Sequence, residues 1–414
     1  MSDFEPFYDV SRSYEDNYEQ GPFGAFAEAL KDGNGADAAG TTSEGASEGA
    51  LATFLGQPVN LPFGIPAGPL LNSRFTTAAF RMGFDLATYK TVRSRAWGCN
   101  PFPNVLAVHP KSADGSLTPG SAELDEGVLA DTNYETPISI SNSFGVPSQS
   151  PDAWQPDMRA AIEAAGPGQV LVPSFQGSRV EGMSEEEYIA DHATTARLVK
   201  ETGAKLMVMN TSCPNEGHNR LLCHNPLLVG RITEAVKQEI GDIPLMVKLA
   251  YIPSDDALEL MVRSTVGHGT VQGFSTINTI SAKLVDANGN QALPGAGRDR
   301  SGVCGNAIRG AGLDMVARLT AIREKLGFQD QWRGRRGFAG RLSGIQKRRR
   351  GFGDVRNRRD VGRRAGPQDQ GEPVNRLQNK KQPVRAVIPR QFPASAHVAL
   401  KLVLLYVITA EQAA

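Results

Sequence analysis

The chain has 414 residues, 40% hydrophobic and 21% charged, a composition that fits a globular protein and excludes a collagen-like or wholly disordered one. Its zero net charge hides an asymmetry: residues 1–330 carry 25 Lys and Arg against 39 Asp and Glu, whereas 331–390 carry 18 against 4, so a body of −14 faces a stretch of +14. No run of about 18 apolar residues occurs and the start is acidic, so membrane spanning and secretion are disfavoured and a cytoplasmic location is expected.

Residues 1–50 begin acidic and end in DGNGADAAGTTSEGASEGA, which cannot bury a core and predicts a flexible extension. A folded body is expected over 51–327. Its apolar runs alternate with helical segments: NLPFGIPA, then a helix over 73–82; DLATYKTV; PISIS, then 152–165; QVLVPSF, then 184–202. The alternation continues with AKLMVMN and 226–240, IPLMVKLA and 254–266, and VQGFSTINT and 306–326. Ser184 and Glu187 have capping-box spacing, and Gly203 stands where that helix needs a C-cap.

Short apolar runs separated by helices predict parallel strands buried on both faces, in a (β/α)8 barrel or a doubly wound sheet. Asn142, Asn210, Lys248 and Asn278 each fall at or just past the end of an apolar run. Barrels place their active sites at that end, and no GxGxxG follows a strand, so the α/β barrel is favoured.

In MVMNTSCPNEG, residues 207–217, Cys213 follows a strand ending on Asn210 and precedes Pro214 and Asn215. A thiol on such a turn can serve as a general base; a buried, unreactive cysteine is the competing reading. Cys213, His218, Cys223 and His224 also offer a zinc alternative, but lack a paired C-x2-C knuckle, so no metal is expected. With Cys99 and Cys304 these thiols form no dense disulfide framework.

The segment resembles the Asn-x-Ser-Cys-Pro-Asn motif of the class 1 flavin-dependent dihydroorotate dehydrogenases, in which the Cys is the base. Further motifs are similar in order and spacing over residues 58–326. Pro66-Ala67-Gly68 resembles the turn under the flavin, and Lys90-Thr91 the flavin-contacting lysine and its neighbouring hydroxyl. Asn142-Ser143-Phe144-Gly145-Val146-Pro147 looks like the substrate loop Asn-Ser-Met-Gly-Leu-Pro, with Phe for Met. Asn278-Thr279 looks like the pair that holds the pyrimidine, and SGVCG at 301–305 like a Gly-rich loop before a helix.

The resemblance implies FMN as cofactor, dihydroorotate as small-molecule substrate and Cys213 as base. It implies substrate contacts from Lys90, Asn142, Phe144, Gly145, Val146, Asn210, Asn215, Asn278 and Thr279. It implies cofactor contacts from Ala67, Gly68, Lys90, Thr91, Lys248 and Gly302. Amide side chains suit a ring edge of alternating donors and acceptors, and a cation suits a flavin that becomes anionic on reduction. Lys248 and Lys90 could instead snorkel to solvent. A homodimer is allowed, and a related flavin oxidoreductase acting on another dihydropyrimidine is the alternative. No amphipathic N-terminal helix pair of the kind a quinone-using member needs is evident.

The family requires two more strands, ending in Gly-Val-Gly-Gly-Val and Ala-Thr-Gly loops for the flavin phosphate, and neither motif is present after Leu326. Joining bases two and three of each codon to base one of the next makes Trp332 give Gly and permits Val-Gly-Gly-Val through Gly337. The same shift permits Met-Ser-Ala-Thr-Gly-Ala-Met-Trp over 354–362. Residues 328–414 therefore read as a displaced frame, expected to be disordered and to leave the barrel incomplete. A genuine nucleic-acid-binding tail is the weaker reading, because few aromatics interleave with the arginines.

Overall fold

The computed structural model describes residues 6–31, 52–212, 221–327 and 406–408. In chain order, helices α1 (Tyr14–Gln20) and α2 (Gly24–Lys31) precede a hairpin of β1 (Ala52–Phe54) and β2 (Gln57–Val59), then β3 (Gly64–Ile65), α3 (Ser73–Arg81) and β4 (Leu86–Val92). An excursion follows with β5 (Ala107–His109), α4 (Glu123–Glu126), β6 (Val128–Asp131) and β7 (Ser139–Asn142). The alternation then resumes: α5 (Pro151–Glu163), β8 (Val170–Phe175), α6 (Glu185–Lys200), β9 (Met207–Asn210), α7 (Pro226–Ile240), β10 (Leu245–Leu249), α8 (Asp255–Thr265) and β11 (Gly273–Thr276). A second excursion, β12 (Ile280–Val285) and β13 (Arg300–Gly305), leads into α9 (Arg309–Leu326), and β14 is Tyr406–Ile408.

Strands β3, β4, β8, β9, β10 and β11 lie side by side in parallel, in chain order. Every residue of β8, β9, β10 and β11 is buried, because helices cover the outer face while the strands curve around an interior. The hairpin seats Phe54 and Val59 against Leu86, Val172, Leu206, Val208 and Met246, filling one end of that interior. Helix α6 has the capping box in full, with Ser184 and Glu187 each bonded to the other's backbone. The architecture is an incomplete (β/α) barrel, with six parallel strands among the described residues. At its β11 edge β14 pairs antiparallel, Phe274 opposite Ile408 and Thr276 opposite Tyr406. The remainder of the Arg-rich region, and the flexible linker expected over 32–50, lie outside the described residues.

Two expectations are corrected. The run PISIS is not a barrel strand. As β7 it pairs antiparallel with β13, Asn142 opposite Gly302, and with β5 at Ala107–Ile140, in a separate five-stranded sheet built from both excursions. The stretch 301–305 accordingly belongs to a strand rather than a Gly-rich loop, and glycine at 302 is required because a Cβ there would stand 2.4 Å from Thr279 Oγ1.

Residues 6–31 are likewise folded, unlike the flexible extension expected over 1–50. Phe7 stacks on Phe26 at 4.3 Å and meets Phe75 of α3 edge-on at 6.4 Å, so an aromatic set excludes water while the acids between stay on the surface. Asn17, fully buried, bonds the Asp9 N–H and the Asp9 and Ser13 carbonyls, and Asn72 Nδ2 donates to Tyr18 O at 2.8 Å. The segment thus forms two short helices, with Tyr14 and Phe26 turned into the core. Among the described residues no helix is long and apolar enough to cross a membrane.

One buried titratable group gives the fold a pH signature. His192 of α6 is fully buried, its Nδ1 paired with Tyr188 O at 3.0 Å and its Nε2 without a partner. Burial lowers its pKa to about 4 from 6.5. Between those values the unfolded chain binds a proton that the folded chain refuses, so stability falls as pH drops through this window, by up to about 3 kcal/mol. Urea unfolding at pH 7 and pH 4.5 should show that loss, and His192→Asn should remove most of the difference. An equal pH slope in the variant would place the acid sensitivity elsewhere.

Candidate active site

The C-terminal ends of the parallel strands open into a cavity of about 430 Å³. Four of the six parallel strands, β4, β9, β10 and β11, deliver a polar group there because the last residue of an apolar run can turn toward the mouth without entering the core. The turn after β3 contributes Ala67 and Gly68, and β4 contributes Lys90 and Thr91. From β9 and β10 come Asn210 and Lys248, and Asn278 follows β11. Asn142 at the end of β7, with Phe144 and Val146 of the loop that follows, also lines the cavity.

The polar groups are linked. Ser212 Oγ lies 3.0 Å from the Asn210 side-chain amide, and Asn278 Nδ2 donates to Ser212 O at 2.7 Å. Thr211 Oγ1 donates to Lys248 O at 2.8 Å, and Thr91 Oγ1 lies 2.8 Å from Ser174 Oγ. The Lys248 amine does not snorkel outward: the residue is 7% exposed and its Nζ is 3.4 Å from Ala67 O. Burial lowers its pKa to about 8, partly offset by nearby Cys304. Burial likewise pushes the Cys304 thiol up to about 11.

Among the described residues, two lysines and no Asp or Glu line the cavity, so its electrostatics favour an anionic occupant. At Gly68, φ is +137° and an added Cβ would meet nothing within 4 Å, leaving bare backbone on which a flat ring could lie. Lys248 beside that surface supplies the cation suited to an electron-accepting ring. These residues fit a flavin.

Three proposed contacts stand back from the cavity lining. Gly145, at φ +75°, is buried against Asn100; Thr279 is buried against Gly302; and Gly302 lies within β13. The structure instead brings Gly305 and Cys304 to the wall. Cys213 and Asn215 lie outside the described residues, as does His218 of the zinc alternative. That alternative's Cys223 is buried, with its thiol pushed up to about 12, and no group of three metal-binding side chains occurs among the described residues.

Sequence reasoning missed Tyr8 and Tyr134 on the wall. The T-shaped contact of Tyr8 with Phe144, centroids 5.8 Å apart, carries the N-terminal segment onto the substrate loop. The one available signal was the aromatic content of the acidic start. It also missed Arg298, which braces the same loop by donating to Ser143 Oγ at 2.8 Å and to Ser143 O at 3.2 Å.

A family model described as dihydroorotate dehydrogenase matches residues 81–326. The dihydroorotate dehydrogenase of Dictyostelium discoideum is 33% identical over 329 residues, covering 77% of this chain and 84% of that protein. The catalytic subunit of dihydroorotate dehydrogenase B (NAD(+)) from Enterococcus faecalis is 23% identical over 221 residues, covering 53% of this chain and 62% of that subunit. A solved structure of the Eimeria tenella enzyme in complex with ferulenol aligns with a TM-score of 0.46 and 15% identity, over 65% of this chain and 68% of that one.

Proposed function

The chain belongs to the dihydroorotate dehydrogenase family, and from that premise we propose that its barrel body oxidises dihydroorotate to orotate in pyrimidine biosynthesis, with FMN as the electron acceptor. The observation that carries this reading is the cavity itself: buried lysines and amides, with no acid among the described lining residues, at the strand ends of an α/β barrel. A cytoplasmic location accompanies the reading, and a homodimer is compatible with it.

The reaction removes a proton from C5 and a hydride from C6 of the substrate. FMN, when bound, supplies the hydride acceptor. Ala67, Gly68, Thr91 and Lys248 would hold it, and Asn142, Asn210, Asn215 and Asn278 would read the pyrimidine edge through their amide donors and acceptors. Lys90 would offer its ammonium to the anionic substrate. Cys213 Sγ would take the C5 proton, a role that needs the thiolate and so favours alkaline pH unless the site lowers the ordinary thiol value of about 8.5.

Anaerobic addition of dihydroorotate to a chain with its reading frame restored near Phe328 should bleach the flavin. Bleaching by another dihydropyrimidine alone would move the assignment to that substrate. In the same protein Lys248→Ala should lower the flavin's reduction potential by roughly 30 mV or more, about 1.4 kcal/mol for a two-electron couple, because the reduced ring loses a nearby cation. An unchanged potential in a variant that retains its flavin would make Lys248 a structural residue.

A further inference from the structure

Arg93, the residue after β4, is 2% exposed, and its guanidinium is spread over two loops of the cavity mouth. Its Nε donates to Val146 O at 3.0 Å and Nη2 to Gly145 O at 3.5 Å, while Nη1 reaches Gly177 O at 3.3 Å and Ser178 Oγ at 3.4 Å. The group also lies over the Trp97 ring, 4.4 Å from its centroid. Its backbone is fixed independently, N–H to Ser148 Oγ at 3.0 Å and carbonyl to Trp154 Nε1 at 3.1 Å.

The two carbonyls it collects in the substrate loop belong to consecutive left-handed residues, Gly145 at φ +75° and Val146 at φ +53°. A β-branched residue is strained there, and such strain persists only where the surroundings impose it. On the other side Gln176 lies 2.6 Å from Asn210 Nδ2. In the amide orientation that satisfies the guanidinium, Gln176 Oε1 accepts from Arg93 Nη1 and Nη2 at 3.2 and 2.8 Å and its Nε2 faces Asn210, whose amide then turns as well, its oxygen accepting from Gln176 and its nitrogen donating to Ser212 Oγ. One planar cation therefore touches the wall that carries Phe144 and Val146 and, through Gln176, the amide at the end of β9.

We propose that Arg93 is a positioning residue of the site: it holds the strained Gly145–Val146 turn in place and, by way of Gln176, orients Asn210 toward the ligand. The proposal rests on the assigned function only for the identity of that ligand. A lysine cannot replace the guanidinium, because a point charge on a flexible stem does not span carbonyls set around a planar fork.

Hydrogen exchange and orotate binding in the frame-restored full chain test it without reference to activity. The reporters are the Ser148 amide, which donates to Trp97 O at 3.0 Å, and the Asn100 amide, which donates to Phe144 O at 3.0 Å. Arg93→Gln and Arg93→Lys should each speed their exchange about tenfold or more and weaken orotate binding, measured by calorimetry, by roughly 10- to 100-fold, the range for lost charged hydrogen bonds. Val146→Gly alone should keep the reporters slow, since Arg93 still holds the turn. In Arg93→Gln/Val146→Gly the slow exchange should return, because glycine adopts the turn without strain.

Wild-type exchange and affinity in Arg93→Gln would overturn the proposal. So would fast exchange in Val146→Gly alone, which would make the valine side chain the anchor; that arm decides even if Arg93→Gln does not fold. An otherwise unaltered frame-restored chain that binds FMN but no orotate would count against the assigned substrate, while the exchange results would still decide the role of Arg93.

Discussion

Cys213→Ala in a frame-restored chain should retain its flavin and lose about 10²- to 10⁴-fold in kcat for dihydroorotate, the usual contribution of a general base. The residue before it in the chain belongs to the polar network of the site. Ser212 is 1% exposed, bonded through Oγ to Asn210 and through its carbonyl to Asn278. Removing a base slows the proton-transfer step and leaves the amides that bind the ring in place, so KM should change far less than kcat. Cys213→Ser should recover part of the rate with a profile displaced to higher pH, since a hydroxyl gives up its proton far less readily than a thiol. Near-normal turnover in the alanine variant would remove Cys213 from the mechanism.

The parallel strands were legible because burial on both faces leaves an uninterrupted apolar run, and a lysine or amide at the end of such a run is conspicuous. Lys90, Asn210, Lys248 and Asn278 all reach the cavity for that reason. The antiparallel sheet was not legible. Its β7–β13 pairing joins segments far apart in the chain, and PISIS has the same local pattern whether its neighbours run parallel or antiparallel. The N-terminal helices were hidden by composition, since Phe7, Tyr14 and Phe26 are dispersed among acids that remain at the surface. Arg93 was invisible for a different reason: a buried cation satisfied by backbone carbonyls leaves no periodicity or motif behind.

Purified with its present sequence the chain should be nearly colourless and poorly soluble, whereas the frame-restored chain should carry stoichiometric FMN. A barrel anchors a phosphate with the loops after its seventh and eighth strands, where backbone N–H groups converge on the anion. The described residues contain six parallel strands, and at the β11 edge the pairing strand is the antiparallel β14. Its direction matters: the chain leaves an antiparallel strand at the N-terminal end of its parallel neighbour, away from the cavity. The loop motifs Gly-Val-Gly-Gly-Val and Ala-Thr-Gly that would anchor the phosphate are absent from 328–405 as written. On the other side, among the described residues, β3 pairs with β4 alone, and an edge left that way is prone to association. Reading the DNA around Phe328 and measuring FMN per chain for both proteins would decide the matter. Stoichiometric FMN in the unmodified chain would refute the displaced frame and return the Arg-rich region to consideration as a functional element.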